Sequence, residues 1–174
     1  THIKMLHRFA SALLLASAVL AAPATASAAA NVFVLNASPA GVGFNDPTVV
    51  APVGGNSGTT LGQQRLIAFQ AAATKWGATL TSSVTITIKA QWTALSCTST
   101  GAVLGSAGAV SVWRDFTGAP VPGHWYGAAL ANKLFGSDLD GANAEINANF
   151  NVNLGQPGCL DGTFFYLGLD NNHG

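Results

Sequence analysis

Charge is scarce in this sequence: Asp, Glu, Lys and Arg together make up 8% of its 174 residues. Lys and Arg form no cluster, so the chain has no electrostatic footprint for nucleic acid or for an anionic lipid surface. Histidine is as sparse. Beyond residue 28 only His124 and His173 occur, far apart in the chain. No His-x-x-x-His pair therefore sets two imidazoles on adjacent helical turns around a zinc ion. A Gly-x-Ser-x-Gly nucleophile elbow is also missing. Gly105-Ser106-Ala107-Gly108 only echoes one and reads as a flexible small-residue loop. After the N-terminal leader no segment reaches the roughly 18 unbroken apolar residues of a membrane helix, and no internal repeat is visible.

What is present begins with that leader. Lys4 and Arg8 supply positive charge around Met5, an apolar run follows over residues 9–20, and small residues fill Ala26-Ser27-Ala28. This is the order of a secretory signal peptide, and it predicts cleavage near Ala28, with residues 1–4 as read-through upstream of Met5. Residues 1–28 are thus read as the signal peptide and 29–174 as one domain, secreted or periplasmic and free of the membrane once cleaved. The remaining basic side chains are Arg65, Lys75, Lys89, Arg114 and Lys133. They are outnumbered by Asp46, Asp115, Asp138, Asp140, Glu145, Asp161 and Asp170.

The only two cysteines, Cys97 and Cys159, stand 62 positions apart. In an oxidising compartment they are expected to form a structural disulfide; two buried free thiols are the alternative. Zinc held by these two alone is disfavoured, because a structural site needs four ligands.

Hydrophobic periodicity sets out an α+β fold. Residues 31–36 read as a strand, followed by a long Gly/Pro loop. Thr59 or Thr60 then caps a helix whose Leu66, Phe69, Ala73, Trp76 and Leu80 recur at steps of three and four and should pack on a sheet. Val84, Ile86, Ile88, Ala90 and Trp92 alternate with polar residues as one face of a strand. Residues 96–108 read as small and polar, 110–116 as strand-like and 125–134 as a short helix. Residues 145–152 alternate again, and 163–169 read as a last strand. The expected architecture is a mixed sheet with a backing helix.

Few groups here carry chemistry. Asp138, Asp140, Asn143 and Glu145 gather oxygen ligands closely enough to form a candidate calcium loop. Gly141 directly after Asp140 departs from the EF-hand order, and a solvated, side-chain-capped turn is the competing reading. Cys97 with His124 as base is a poorer assignment than a disulfide. Arg114 beside Asp115 reads as a surface ion pair. Periodicity assigns Trp76 and Trp92 to the core, leaving Trp113 and Trp125, with Tyr126, as the aromatics open to a stacked ligand such as a glycan.

Several words occur together in one order: Gly43-Phe44-Asn45-Asp46-Pro47, Ala51-Pro52-Val53-Gly54-Gly55-Asn56, Gly58-Thr59-Thr60-Leu61-Gly62-Gln63-Gln64-Arg65-Leu66, Trp125-Tyr126 with Ala128 to Leu134, and Asn153-Leu154-Gly155 with Gly158-Cys159-Leu160. Together they resemble the N-terminal part of exported bacterial proteins that join a zincin-like metallopeptidase region to a protease-associated domain. Phe69, Ala72, Ala73 and Trp76, followed by residues 84–90, are similar to the backing helix and first sheet strand of a wider set of secreted zincins. The resemblance implies a zinc-dependent parent acting on peptide or protein substrates. Its His-Glu-x-x-His helix would follow the segment matching residues 166–174. No catalytic residue, zinc ligand or other cofactor site is expected in this chain, which would be inactive alone. The final strand is expected to need cover from that helix.

Overall fold

The computed structural model describes residues 28–172. The signal peptide read at 1–28, apart from Ala28, and His173 therefore lie outside the described residues. Val32–Asn36 forms β1, and the chain then crosses a single 3-10 turn at Gly43–Asn45 and a long loop before entering α1, Leu61–Thr79. The start of α1 is set locally. The Thr60 side chain accepts a hydrogen bond from Gln63 N at 3.2 Å, and Gln63 Oε1 accepts one from Thr60 N at 3.3 Å. This reciprocal box satisfies two amides that the first helical turn leaves open.

β2, Ile86–Thr93, follows α1 and lies parallel to β1, with Val34 opposite Ile88. Two short strands, β3 at Cys97–Thr98 and β4 at Gly101–Ala102, make a small hairpin. β5 is Gly105–Ala109. β6, Val112–Trp113, pairs with β7, Tyr126–Gly127, which leads into α2, Ala128–Phe135. β8, Ile146–Asn151, inserts parallel to β2 and takes β5 antiparallel on its other side. The main sheet therefore runs β1-β2-β8-β5, a mixed sheet in an α+β fold.

Alternation along these strands separates the two faces. Thr87, Lys89, Gln91, Asn147 and Asn149 fall on the polar face, where Gln91 Nε2 donates to Asn149 Oδ1 across the strands at 2.9 Å. The apolar face carries Ala90, Trp92 and Ala148, and with Phe44 they form the buried core against which Leu66 and Phe69 of α1 pack. Phe44–Phe69, Phe69–Phe150 and Trp92–Phe165 meet edge to face at 5.1, 4.9 and 5.1 Å, an arrangement that aligns ring edges with ring faces of opposite partial charge.

The far end of α1 approaches the start of β1 so closely that a side chain does not fit between them. A Cβ on Gly77 would lie 2.6 Å from Ala30 O, and Ala30 N donates to Gly77 O at 3.0 Å. Helix propensity alone favours alanine over glycine by about 1 kcal/mol. Here the backbone clash should outweigh that gain, and Gly77→Ala is expected to destabilise by about 1–3 kcal/mol. Urea denaturation of the variant tests this, since a stabilised variant would show that the helix end yields freely.

Four expected elements differ from those observed. Residues 163–169 form no strand. They run over the core without joining a sheet, with Phe165 turned onto Trp92 and Phe150. Their backbone groups bond to the Gly-rich loop instead: Leu169 N donates to Gly54 O at 2.7 Å, and Leu167 O accepts from Asn56 Nδ2 at 2.8 Å. Within residues 96–108, Gly105 to Gly108 belong to β5, so the expected flexible loop is an edge strand held by backbone pairing with β8. Only Val112–Trp113 of the 110–116 stretch is strand, and Tyr126–Gly127 pairs with it, which delays α2 to Ala128. Trp76 and Leu80 are 60% and 40% exposed rather than core. Trp76 stands near the end of α1 and Leu80 just past it, and both border an apolar groove against the sheet.

Cys97 and Cys159 are bonded, with Cα atoms 4.7 Å apart, and neither cysteine is free. The bond joins the β3–β4 hairpin to the turns after β8. Asn151, fully buried, organises the junction: its Nδ2 donates to Val103 O at 2.9 Å and its Oδ1 accepts from Leu95 N and Asn153 N at 3.4 and 3.1 Å.

Candidate functional site

A groove of about 620 Å³ runs between α1 and the apolar face of the sheet, lined there by Ile86, Ile88, Ile146 and Ala148. Trp76 of α1 and Leu80 just after it line one side, Ala107 of β5 and Ala129 of α2 another, and Phe165 of the 163–169 segment also borders it. The lining is almost entirely hydrocarbon because strand alternation sends every second side chain of β1, β2 and β8 to this face.

The one charged residue on its border, Arg65, is already committed. Its Nη1 donates to Gly43 O and to Asp46 Oδ2, both at 3.1 Å, and its guanidinium lies 4.4 Å from the Trp92 ring centroid. Burial lowers the Arg65 pKa, partly offset by Asp46. Burial also raises that of Asp46, but its Thr48 hydrogen bonds and Arg65 outweigh this and hold its carboxyl below the usual value. This pair anchors the 3-10 turn to α1 and offers the groove neither a nucleophile nor a base.

β5 forms the rim of this site. It is the terminal strand of the sheet, every residue of it is exposed, and its side chains are hydrogen, methyl or the Ser106 hydroxymethyl. Its outer backbone edge is thus open to another extended chain, which strand addition would recognise through main-chain hydrogen bonds.

The other residues singled out from the sequence are distributed as follows. Ser106 accepts from Asn149 Nδ2 at 3.5 Å on the polar face and has no base beside it. Cys97 is consumed in the disulfide, which removes it as a nucleophile. His124 sits in an exposed turn, its Nδ1 3.2 Å from Pro122 O. Arg114 and Asp115 do form an exposed ion pair at 3.5 Å, and Asp115 Oδ1 accepts from Gly123 N at 2.6 Å to close the turn. The three aromatics do not share one exposed platform. Trp125 is 61% exposed with the Arg114 guanidinium 4.9 Å from its ring centroid, whereas Trp113 and Tyr126 are half-buried, the latter against Phe116.

Asp138, Asp140 and Glu145 do converge, each offering a carboxylate oxygen within 4.8 Å of the others. Asn143 Nδ2 donates to Asp140 O at 3.2 Å, bracing the turn between them. Sequence reasoning missed the groove and the strand edge. The groove depends on how closely α1, α2 and β5 approach the sheet, and periodicity reports which residues share a face without reporting what lies on it.

No family model, curated protein or solved structure matches this chain.

Proposed function

We propose that this chain is the N-terminal, substrate-side portion of an exported zincin-like metallopeptidase of the kind that also carries a protease-associated domain. The apolar groove between α1 and the sheet carries the proposal. A groove walled by α1, α2 and β5 and floored by isoleucine and alanine suits the apolar stripe of one further helix. Burying this surface would contribute roughly 25 cal/mol per Å². Such a helix would pass beside the open edge of β5, so that a peptide added to that edge would lie against it. A His-Glu-x-x-His sequence there supplies zinc ligands one turn apart and a general base. The present residues would then build the sheet, the backing helix and the peptide-binding rim, with no part in metal chemistry. Export to a secreted or periplasmic location is supported by the leader-like N-terminus and by the disulfide. A peptide or protein substrate, with neither nucleic acid nor membrane as partner, accords with the low charge.

Reading the frame beyond codon 174 and assaying the longer product tests the proposal. The expected result is an amphipathic helix bearing His-Glu-x-x-His within a few tens of residues and chelator-sensitive peptide hydrolysis, with none from residues 29–174 alone. A frame that continues without the motif, or that stops at once, overturns it.

A further inference from the structure

The main sheet ends on two strands, β5 and β1, and the proposed peptidase role uses only the first. β1 is unlike β5 in composition: Val32-Phe33-Val34-Leu35 is a run of β-branched and large apolar side chains suited to a strand. Ile86 N donates to Asn31 O and Ala37 N to Ala90 O. Residues that bond to one neighbour alternate along a strand, so Phe33 and Leu35 also bond toward β2. The backbone N–H and C=O groups of Val32, Val34 and Asn36 therefore point outward, and among the described residues no strand pairs with them. The Phe33 and Leu35 side chains fall on the polar face beside Thr87 and Lys89, where they are 53% and 42% exposed. No proline, bulge or charged side chain within β1 blunts this edge, although these are the devices by which edge strands escape pairing.

We infer that β1 is a dimerisation edge, which pairs antiparallel with β1 of a second copy of this chain about a two-fold axis through Val34. The register is self-complementary. It sets Val34 opposite Val34, Val32 opposite Asn36, and Phe33 of each copy opposite Leu35 of the other. The outward-bonding Val32, Val34 and Asn36 make the hydrogen-bonded pairs, so Phe33 and Leu35 make the non-bonded pairs, whose Cα atoms stand closer, at roughly 4.5 Å. Each exposed ring thus meets an exposed isobutyl group, an apolar cross-strand pair formed twice. The other edge is a poorer mate. Against β5 of another copy, Phe33 and Leu35 would meet only hydrogens, methyls and one hydroxymethyl, and the contact would run head to tail without closing. The two-fold contact closes after two copies and joins two four-stranded sheets into one. Charge does not oppose it: the two Lys89 side chains, one strand in from each edge, stand three strand spacings or about 14 Å apart, beyond the screening length of about 8 Å at physiological salt.

Sedimentation velocity over a rising concentration of the chain, recovered from an oxidising compartment, tests this. A reversible monomer–dimer equilibrium with no larger species is expected. In hydrogen exchange the amides of Val32, Val34 and Asn36 should gain protection as the concentration rises, whereas those of Phe33 and Leu35, already bonded to β2, should change little. Phe33→Lys and Leu35→Lys alter side chains that the monomer leaves exposed, and each should weaken the dimer by about tenfold or more, since an edge lysine blocks strand pairing. Val49→Lys, at an 82% exposed position in the loop before α1, should dimerise as the parent does. A chain that stays monomeric at every concentration, a series of species beyond the dimer, protection gained at Gly105, Ala107 and Ala109 instead, or undiminished association of folded Phe33→Lys and Leu35→Lys would each overturn the assignment. The β5 edge stays open in this dimer and no outcome depends on a zinc motif, so the dimer and the peptidase proposal fail separately.

Discussion

Trp92→Ala is expected to lower the unfolding free energy by about 3–5 kcal/mol, the cost of emptying a large aromatic site in a packed core. Trp92 is 3% exposed and is shared by everything that meets on the apolar face of the sheet. Phe44, Phe150 and Phe165 lie 6.4, 5.5 and 5.1 Å from it between ring centroids, and Arg65 stacks on it at 4.4 Å. Truncation would remove the hydrocarbon and also the ring that receives the buried Arg65 guanidinium. Against a typical total of about 5–15 kcal/mol, this leaves little margin. Trp92→Phe separates the contributions. Trp92 Nε1 has no hydrogen-bond partner, so the phenyl ring loses no bond and should cost clearly less than alanine. Equal losses in urea denaturation of the two variants would refute the central position given to this ring.

Removing the disulfide is the second large effect. Cys97 and Cys159 close a loop with a sequence separation of 62, for which the chain-entropy model gives about 4 kcal/mol of stabilisation. Cys97→Ala with Cys159→Ala should therefore shift the denaturation midpoint strongly downward, and a reductant should do the same to the parent chain. Non-reducing peptide mapping of protein recovered from an oxidising compartment should find the two cysteines linked. If both were alkylated as free thiols, or if reductant left the midpoint unchanged, the bond would have no part in stability. Asn151 makes the native side of this junction costly to disturb, because its amide satisfies backbone groups of both the 95–103 segment and the turn after β8.

Elements with strong local signals are legible in the residues themselves. Thr60 and Gln63 specify the start of α1 by reciprocal capping, and the alternation of Ile86 to Trp92 specifies β2 and its buried face. The bonded cysteines are legible because the sequence holds two of them and each is the other's sole candidate partner. The acidic residues of the 138–145 loop are legible as a group because they are close in sequence. Elements that local signals misplace share one cause, that the deciding partner is remote. Gly105 to Ala109 has no strand-forming side chains, yet β8 supplies a complete set of backbone partners. Residues 163–169 have strand-like side chains, but Asn56 and Gly54 take their hydrogen bonds first.

By itself the sequence determined the α+β class, the backing helix and the cysteine pair, because each depends on residue type and short-range spacing. Tertiary structure alone decided that β8 inserts between β2 and β5, that Trp76 and Leu80 border an open groove, and that one oxygen of Asp140 is buried without a donor. The physical reason is that pairing order, cover and desolvation belong to contacts between segments distant along the chain, and a residue's own neighbours carry no record of them.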